Sequence, residues 1–256
     1  MFFLTKETIP EGVGFSTFGL THLIWLLSFA ILGAILIVTY RKLDSSKQNI
    51  TRIILGLIVV SHEIVRDIGV IAVDKFTFAD LPLHLCGINI LLVGFDLIKK
   101  TDIVRNFLYY FSIPGALLAL LFPNWTMLPC MNYFHINSFG VHAFLVFYPL
   151  MLVISGEVKP KIKMMPKCIL LLVCMAIPIY IVNLLCDTNF MFLMEPETGN
   201  PLSLFEKYLG NHLWGFPILL PVVMFAMYLP LFFASKCQKS TNIEAKKKEK
   251  QLMNSK

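Results

Sequence analysis

Charged residues are scarce in this chain. Asp, Glu, Lys and Arg make up 15% of its 256 residues, whereas 57% are hydrophobic and the mean hydropathy is +0.72. A soluble globular domain carries about 25% charged residues. The composition therefore excludes an ordinary soluble enzyme and predicts a polytopic membrane protein.

Several common functional signatures are missing as well. The chain has no glycine-rich phosphate loop, no G-x-S-x-G elbow and no Cys or His spacing typical of a zinc site. Its six cysteines do not form a disulfide framework, although a Cys130–Cys186 bridge is one alternative. Residues 1–17 lack the basic start and apolar core of a signal peptide. We therefore expect no metal, no cofactor and no nucleic-acid partner.

Seven apolar segments are long enough to cross a bilayer, which takes about 20 residues. They lie at 18–40, 49–73, 80–98, 103–121, 134–157, 165–188 and 212–235. Little of the chain is left for a second domain. We predict an all-α fold, with one domain of seven transmembrane helices over 1–235 and a basic, disordered cytoplasmic tail over 236–256.

The basic residues are distributed unevenly between the two ends of these segments. Of the 22 Lys and Arg residues, 18 follow spans one, three, five and seven, three lie on the other side, and Arg66 lies inside a span. Cytoplasmic loops of membrane proteins carry the excess of Lys and Arg. The sequence therefore predicts a plasma-membrane protein with its N-terminus outside and its C-terminus in the cytoplasm.

Polar side chains inside the spans gather near the predicted outer ends. An ionisable residue at the centre of a span costs about 2.5–3.5 kcal/mol on insertion scales, so such residues usually mark function. The candidates for catalysis, support or substrate binding are His22, His62, Glu63, Arg66, Asp67, His84, Cys86, Asn89, His135, His142 and Asn183. The inner halves are nearly all apolar, and we expect Asp96 there to pair with Lys99 or Lys100. This pattern predicts one polar cavity open to the outer leaflet.

Helical periodicity refines the arrangement of the reactive groups. At 100° per residue, His135 and His142 share one stripe and Cys86 shares a face with Asn89. His84 would point almost opposite to Cys86. An imidazole partner for this thiol must therefore come from another helix, and His142 lies at a similar depth.

Each candidate also has a structural interpretation. Most membrane cysteines are inert packing, and a lone histidine commonly satisfies a hydrogen bond between helices. Glu63 and Asp67 are like charges one turn apart, so at least one of them needs a partner such as Arg66, His22 or His142. Trp25 and Trp125 are interpreted as interfacial anchors.

Short motifs follow one another along the chain in the order of a known family. They are Leu81–Cys86, Phe134…His142, Phe18-Gly19…His22 and Asn183…Pro196. They resemble the YwaF-type bacterial integral membrane family over roughly residues 15–235. That family is similar to the eukaryotic transmembrane protein 164. It is more distantly similar to the androgen-induced-gene hydrolases of fatty acid esters, which use Thr and His.

The resemblance implies a CoA-independent phospholipid acyltransferase that uses a Cys and a His. These correspond to Cys86 and His142, with His135 as an alternative base, and a thiol with an imidazole supplies the nucleophile and its activating base. Asn89, Asn183 or Arg66 could stabilise the oxyanion. The expected partners are a phospholipid and a lysophospholipid. The alternatives are a lipid ester hydrolase with the same site and a transporter or small-molecule binding membrane protein that uses the charges of span two.

Overall fold

The computed structural model describes residues 2–4, 8–10, 12–72, 76–196 and 201–233. Over these ranges the chain is helical and contains no strand, so the predicted fold class is confirmed at this level. The predicted basic tail, 236–256, lies outside the described residues. Five helices are long and apolar enough to cross a membrane, namely Leu20–Lys42, Asp102–Leu121, Tyr133–Ser155, Ile162–Cys186 and His212–Phe233.

Each of the seven apolar segments corresponds to a helix in the structure. The helices are α1 (Leu20–Lys42), α2 (Ser45–Ala72), α3 (Leu85–Ile98), α4 (Asp102–Leu121), α5 (Tyr133–Ser155), α6 (Met165–Cys186), the short α7 (Leu202–Leu209) and α8 (His212–Phe233). α2 has 28 residues, but its charged side chains exclude it from the five helices that are apolar enough to cross a membrane. α3 has only 14 residues and is about 21 Å long.

The outer surface of the bundle is apolar. α1 has 23 residues and is about 34 Å long, which exceeds the roughly 30 Å hydrocarbon core of a bilayer. Leu27 on α1, Ile177 on α6 and Phe225 on α8 are all exposed. An exposed apolar surface of this extent is unfavourable in water and suits contact with lipid chains.

α5 is the central helix and packs against α1, α2 and α4. Gly33 lets α1 approach closely, because a Cβ there would lie 2.3 Å from Cε1 of Phe147 on α5. On the other side, the Ser112 hydroxyl of α4 donates to the Leu145 carbonyl at 2.9 Å. These contacts fix the position of α5 and of the side chains that it carries.

α3 begins later than the sequence predicts. Residues 80–98 read as one apolar segment, but the helix starts at Leu85 after a 3₁₀ turn, Phe78–Asp80. Pro82 lacks an N–H and disfavours a helical Leu81, which has φ −58° and ψ 142°, and the Leu83 N–H then donates to the Leu81 carbonyl in a turn at 2.7 Å. A Cβ on Gly87 would lie 2.6 Å from the Pro82 carbonyl oxygen, so this segment folds tightly over the first turn of α3.

α4 contains a π-helical turn, Leu108–Ser112. Pro114 cannot donate a backbone hydrogen bond to the preceding turn, which opens the helix at this point. The Ile113 N–H instead donates to the Leu108 carbonyl, five residues back. The widened turn brings Phe111 and Pro114 to the wall of the cavity described below.

Candidate functional site

The end of the bundle at which α3 and α5 begin contains a cavity of about 1600 Å³. This volume exceeds the 300–1,000 Å³ typical of drug-sized ligand sites and suits a larger, lipid-like molecule. The wall is mostly apolar. Its ionisable residues are Glu63, Arg66, Asp80, His84, Cys86 and His142. The structure therefore brings the predicted thiol and the predicted imidazole to one space.

Cys86 lies in the first turn of α3, two residues after the N-cap residue His84. The first backbone bond at this end joins the Ile88 N–H to the His84 carbonyl at 3.0 Å. The N–H groups of Leu85, Cys86 and Gly87 precede it, and such groups have no intrahelical acceptor. A helix N-terminus favours negative charge. The thiol is therefore next to donors that can stabilise a thiolate or an oxyanion.

His142 is oriented by two contacts on α5 and the loop before it. Its Nδ1–H donates to the Ser138 carbonyl at 2.7 Å. Because a carbonyl can only accept, the neutral ring carries its proton on Nδ1 and leaves a lone pair on Nε2. The Trp125 ring stacks on the imidazole at 5.2 Å between centroids and 15° between planes. The ring therefore presents Nε2 as an acceptor in a fixed orientation.

Trp125 differs from its predicted role as an interfacial anchor. It is 4% exposed and lines the cavity, so it is part of the wall that supports His142. The sequence gives little signal for this role, because Trp at the end of an apolar segment usually indicates an interface.

His135 does not join His142 in the cavity lining. Its Nδ1–H donates to the Leu128 carbonyl at 3.3 Å. Its ring packs among Phe15, Trp25 and Phe139, at 5.0, 5.2 and 5.0 Å between centroids. His135, near the start of α5, therefore faces aromatic residues of α1 and of the segment before α1. Of the two histidines, only His142 lines the cavity together with Cys86.

His84 also differs from the prediction that it points away from Cys86. It is the N-cap of α3, with φ −65° and ψ 155°, so helical periodicity does not apply to it. Both residues line the cavity. The Met191 N–H donates to His84 Nδ1 at 3.3 Å, and the imidazole contacts the rings of Phe190 and Phe192. His84 therefore connects α3 to the segment after α6.

Asn183 holds that same segment. Its Nδ2 donates to the Phe190 carbonyl at 3.0 Å, and its Oδ1 accepts from the Phe190 N–H at 2.8 Å and from the Thr188 hydroxyl at 2.9 Å. The turn includes Met191 and Phe192, whose φ values of 58° and 56° are unfavourable for residues with a side chain. Asn183 does not line the cavity, and its amide is used to position the wall.

The charged residues of α2 form an ion-pair cluster around Arg66. Its guanidinium lies 3.4 Å from Glu63 and 2.9 Å from Asp67, and it also donates to the Asp80 carbonyl. Arg66 is therefore the partner that the two like charges require. Glu63 and Arg66 line the cavity, and Asp67 does not.

Three further candidates lie away from the cavity lining. His22 is buried, accepts from the Phe18 N–H at 2.9 Å and donates to the Leu120 carbonyl at 2.8 Å. His62 donates from Nδ1 to the Ile58 carbonyl at 2.8 Å. Asn89 is fully buried, and neither atom of its amide has a partner. The shared face that the sequence predicts for Cys86 and Asn89 therefore does not bring Asn89 to the cavity wall.

The opposite end of the bundle contains a second polar group that the sequence does not reveal. Asp96 is fully buried and accepts from Arg105 at 2.7 and 3.2 Å, from Arg52 at 3.3 Å and from the Tyr148 hydroxyl at 2.8 Å. The expected pairing of Asp96 with a neighbouring lysine is therefore wrong. We call Arg52, Asp96, Arg105 and Tyr148 the Asp96 network, and none of them lines the cavity.

The described part of the chain contains no group of three His, Cys, Asp or Glu residues that could hold a metal ion. The five cysteines in it are free thiols, so Cys130 and Cys186 do not form a bridge. The thiol chemistry of this end therefore centres on Cys86, the cysteine that lines the cavity.

Comparison with known proteins connects this site to a family. Residues 17–229 match the model of the TMEM164 family. The chain belongs to the TMEM164 family. The match extends from the first cavity residue, Thr17, into α8, and so includes Cys86 and His142. Membership and the apolar helices together indicate an integral membrane protein. No curated protein and no solved structure matches this TMEM164-family chain.

Proposed function

We propose that the chain is an acyltransferase that moves a fatty acyl group from a phospholipid to a lysophospholipid. The observation that supports this most is that Cys86 and His142, on different helices, line one lipid-sized cavity within an apolar bundle. Cys86 is the nucleophile and His142 is the base. The proposal includes the likeness to YwaF-type proteins and to the androgen-induced-gene hydrolases, and it requires no cofactor or metal.

The proposal also includes a topology. α2 and α3 cross the membrane together with the five long apolar helices, which gives seven spans. The excess of Lys and Arg after spans one, three, five and seven places the C-terminus in the cytoplasm and the N-terminus outside. The cavity then opens toward the outer leaflet of the plasma membrane, where a phospholipid can enter laterally between helices.

The first half-reaction forms an acyl-enzyme. His142 Nε2 takes the proton of the Cys86 thiol, and the sulfur attacks the ester carbonyl carbon to form an S–C bond. The N–H groups at the start of α3 stabilise the oxyanion, an effect often worth about 3–4 kcal/mol. The C–O ester bond then breaks, and the imidazolium gives its proton to the departing glycerol oxygen. A lysophospholipid leaves and a thioester remains.

The second half-reaction returns the acyl group to a lipid. The hydroxyl of an incoming lysophospholipid loses its proton to His142 and attacks the thioester carbonyl. A new C–O bond forms, the C–S bond breaks and Cys86 regains its proton. If water takes the place of the hydroxyl, the product is a free fatty acid and the protein is a hydrolase.

Lipid mass spectrometry on purified protein in liposomes tests this proposal. The liposomes contain a phospholipid and an isotope-labelled lysophospholipid. Wild type should place the label in diacyl lipid, whereas Cys86→Ala and His142→Ala should each lower that rate by about 10³-fold or more. Cys174→Ala, at an exposed thiol of α6, is the matched control and should retain the rate.

The other outcomes also decide between functions. Wild-type transfer by both Cys86→Ala and His142→Ala would contradict the proposal. Free fatty acid in place of labelled diacyl lipid would establish a hydrolase with the same site. No lipid change with the fold intact would favour transport, and proton-coupled uptake sensitive to Glu63→Gln and indifferent to Cys86→Ser would then establish it.

A further inference from the structure

Asn137 is a buried amide in the wall of the cavity, and its hydrogen-bonding groups are not used by the fold. It lies on α5, is 7% exposed and borders the cavity. Its Oδ1 is buried without a partner, and the described residues make no hydrogen bond to either atom of the amide. Most buried side-chain polar atoms in proteins are hydrogen-bonded, so this exception requires an explanation.

Two other buried asparagines, Asn106 and Asn183, use both the donor and the acceptor of their amides. Asn106 donates to the Asp102 carbonyl at 2.7 Å and accepts from the Lys161 N–H at 2.8 Å. Asn183 makes three bonds to the segment after α6. Asn89 is the other buried asparagine without a partner, and it does not line the cavity. Asn137 therefore combines an uncommitted amide with access to the reactive end of the bundle.

The position of Asn137 on α5 relates it to the base. Asn137 and Val141 form one row along the helix, Ser138 and His142 form the adjacent row, and all four line the cavity. The thiol of Cys86 enters the same space from α3. The first turn of α3 and the side chain of Asn137 therefore both bring N–H donors to the cavity that Cys86 and His142 line.

This arrangement supplies what an acyl-transfer site needs. The oxygen that becomes negatively charged in the tetrahedral intermediate requires preorganised donors, often one backbone N–H and one side-chain amide. The sequence-based candidates for this role are Asn89, Asn183 and Arg66. Asn89 does not reach the cavity lining, and the amide of Asn183 is occupied, so neither asparagine has a free donor at this site.

We propose that Asn137 is a catalytic oxyanion donor, whose Nδ2–H binds the ester and thioester carbonyl oxygen in both half-reactions. This inference rests on the proposed acyl transfer and adds a residue to it. The Nδ2 of Asn137 makes no hydrogen bond to the described residues, which leaves this donor available to a substrate oxygen, whereas the buried Oδ1 is an acceptor and takes no part in this contact. Removing an unpaired polar group from a buried site does not weaken the fold, whereas removing a paired one does.

The test compares Asn137→Leu with Asn106→Leu, two substitutions of similar shape at buried asparagines. Thermal unfolding in detergent should show an unchanged or raised midpoint for Asn137→Leu and a lowered midpoint for Asn106→Leu. In liposomes, Asn137→Leu should lower kcat for acyl transfer by about 10²-fold while KM for the lysophospholipid stays within about twofold. Asn137→Gln, which keeps a donor, should recover part of the rate.

Single-turnover measurement of the Cys86 thioester separates this inference from the proposed function. With a labelled donor phospholipid, wild type should form a thioester that neutral hydroxylamine releases, and Asn137→Leu should form it about 10²-fold more slowly. A wild-type thioester together with an unchanged Asn137→Leu rate would overturn the role of Asn137 alone. A fall in stability equal to that of Asn106→Leu would also overturn it. No wild-type thioester would overturn the proposed function itself.

Discussion

At one end of the helix bundle the carboxylate of Asp96 is enclosed by donors, whereas at the other end Cys86, His142 and Asn137 retain groups that no residue of the described chain binds. Asp96 accepts from Arg52, Arg105 and Tyr148 together. In the cavity, the unprotonated nitrogen of His142 and the amide of Asn137 have no such partners.

Both ends contain polar groups that are costly to bury in an apolar bundle. In the Asp96 network most of this cost is offset by hydrogen bonds between helices, so the network holds α2, α3, α4 and α5 together. In the cavity the fold leaves Cys86, His142 and Asn137 available to a ligand, which is what binding or catalysis requires. The carboxylate of Asp96 is therefore saturated with hydrogen bonds, whereas His142 and Asn137 at the cavity are not.

Breaking the hydrogen bonds of the Asp96 carboxylate should have the largest effect on stability. Asp96→Asn removes the charge that balances the buried guanidinium of Arg52 and the partly buried guanidinium of Arg105, and breaking a buried ion pair in this way costs about 3–5 kcal/mol. We expect a corresponding drop in the free energy of unfolding, measured by denaturant titration in detergent.

Asp102→Asn is the matched control for this change. Asp102 pairs with Lys161 at the surface, where the side chains are 68% and 57% exposed. Exposed pairs contribute about 0–1 kcal/mol, so this variant should unfold close to wild type. If both variants lost the same free energy of unfolding, the buried contacts of Asp96 would not stabilise the fold more than an exposed ion pair does.

A second change sharpens the comparison, because Asn183 lies near the cavity but is saturated like Asp96. Asn183→Ala removes three hydrogen bonds and leaves the Phe190 N–H unpaired, for a cost of about 1–3 kcal/mol. Hydrogen exchange followed by mass spectrometry should show faster exchange at residues 188–193. The control is Asn189→Ala in the same loop, whose amide bonds Met194 and Glu195 at an exposed position. If exchange at residues 188–193 were slower or unchanged in Asn183→Ala, the Asn183 amide would not stabilise this segment.

The smallest expected effect concerns an apolar contact that supports an unsaturated group. Trp125→Leu removes the ring that stacks on His142, so the imidazole gains freedom to leave its productive orientation. We expect acyl transfer to fall about tenfold, which corresponds to about 1.4 kcal/mol in the barrier. Trp25→Leu, at a ring that stacks on Phe139 and Phe29, should reduce transfer by much less. Equal losses in the two variants would indicate a general packing effect.

Much of this organisation could be predicted from the sequence. The seven apolar segments all correspond to helices, and some of the polar residues near one end of α2, α3 and α5 border a cavity, namely Glu63, Arg66, Cys86 and His142. The pairing of Arg66 with Glu63 follows from helical spacing of three residues. The likeness to transmembrane protein 164 is confirmed at the level of the family. These features depend on composition and on contacts between near neighbours in the chain.

Other features could not be read in this way. Pro82 delays the start of α3, so Cys86 occupies a first turn and His84 leaves the helical pattern. Asp96 reaches Arg52 across 44 residues, and His84 meets Met191 across 107. The role of Trp125 beside His142 depends on the path of a loop. A pattern within one short segment cannot predict contacts between residues so far apart in the sequence.

The sequence by itself determined that the chain is helical and apolar, because hydropathy and periodicity are properties of short segments. It also determined which residue types stand near one end of the bundle. Only the tertiary structure decided which of these polar side chains face a common cavity, which form hydrogen bonds within the protein and which remain without a partner. That decision depends on how helices pack, because a side chain finds its partner through three-dimensional proximity and not through its position along the chain.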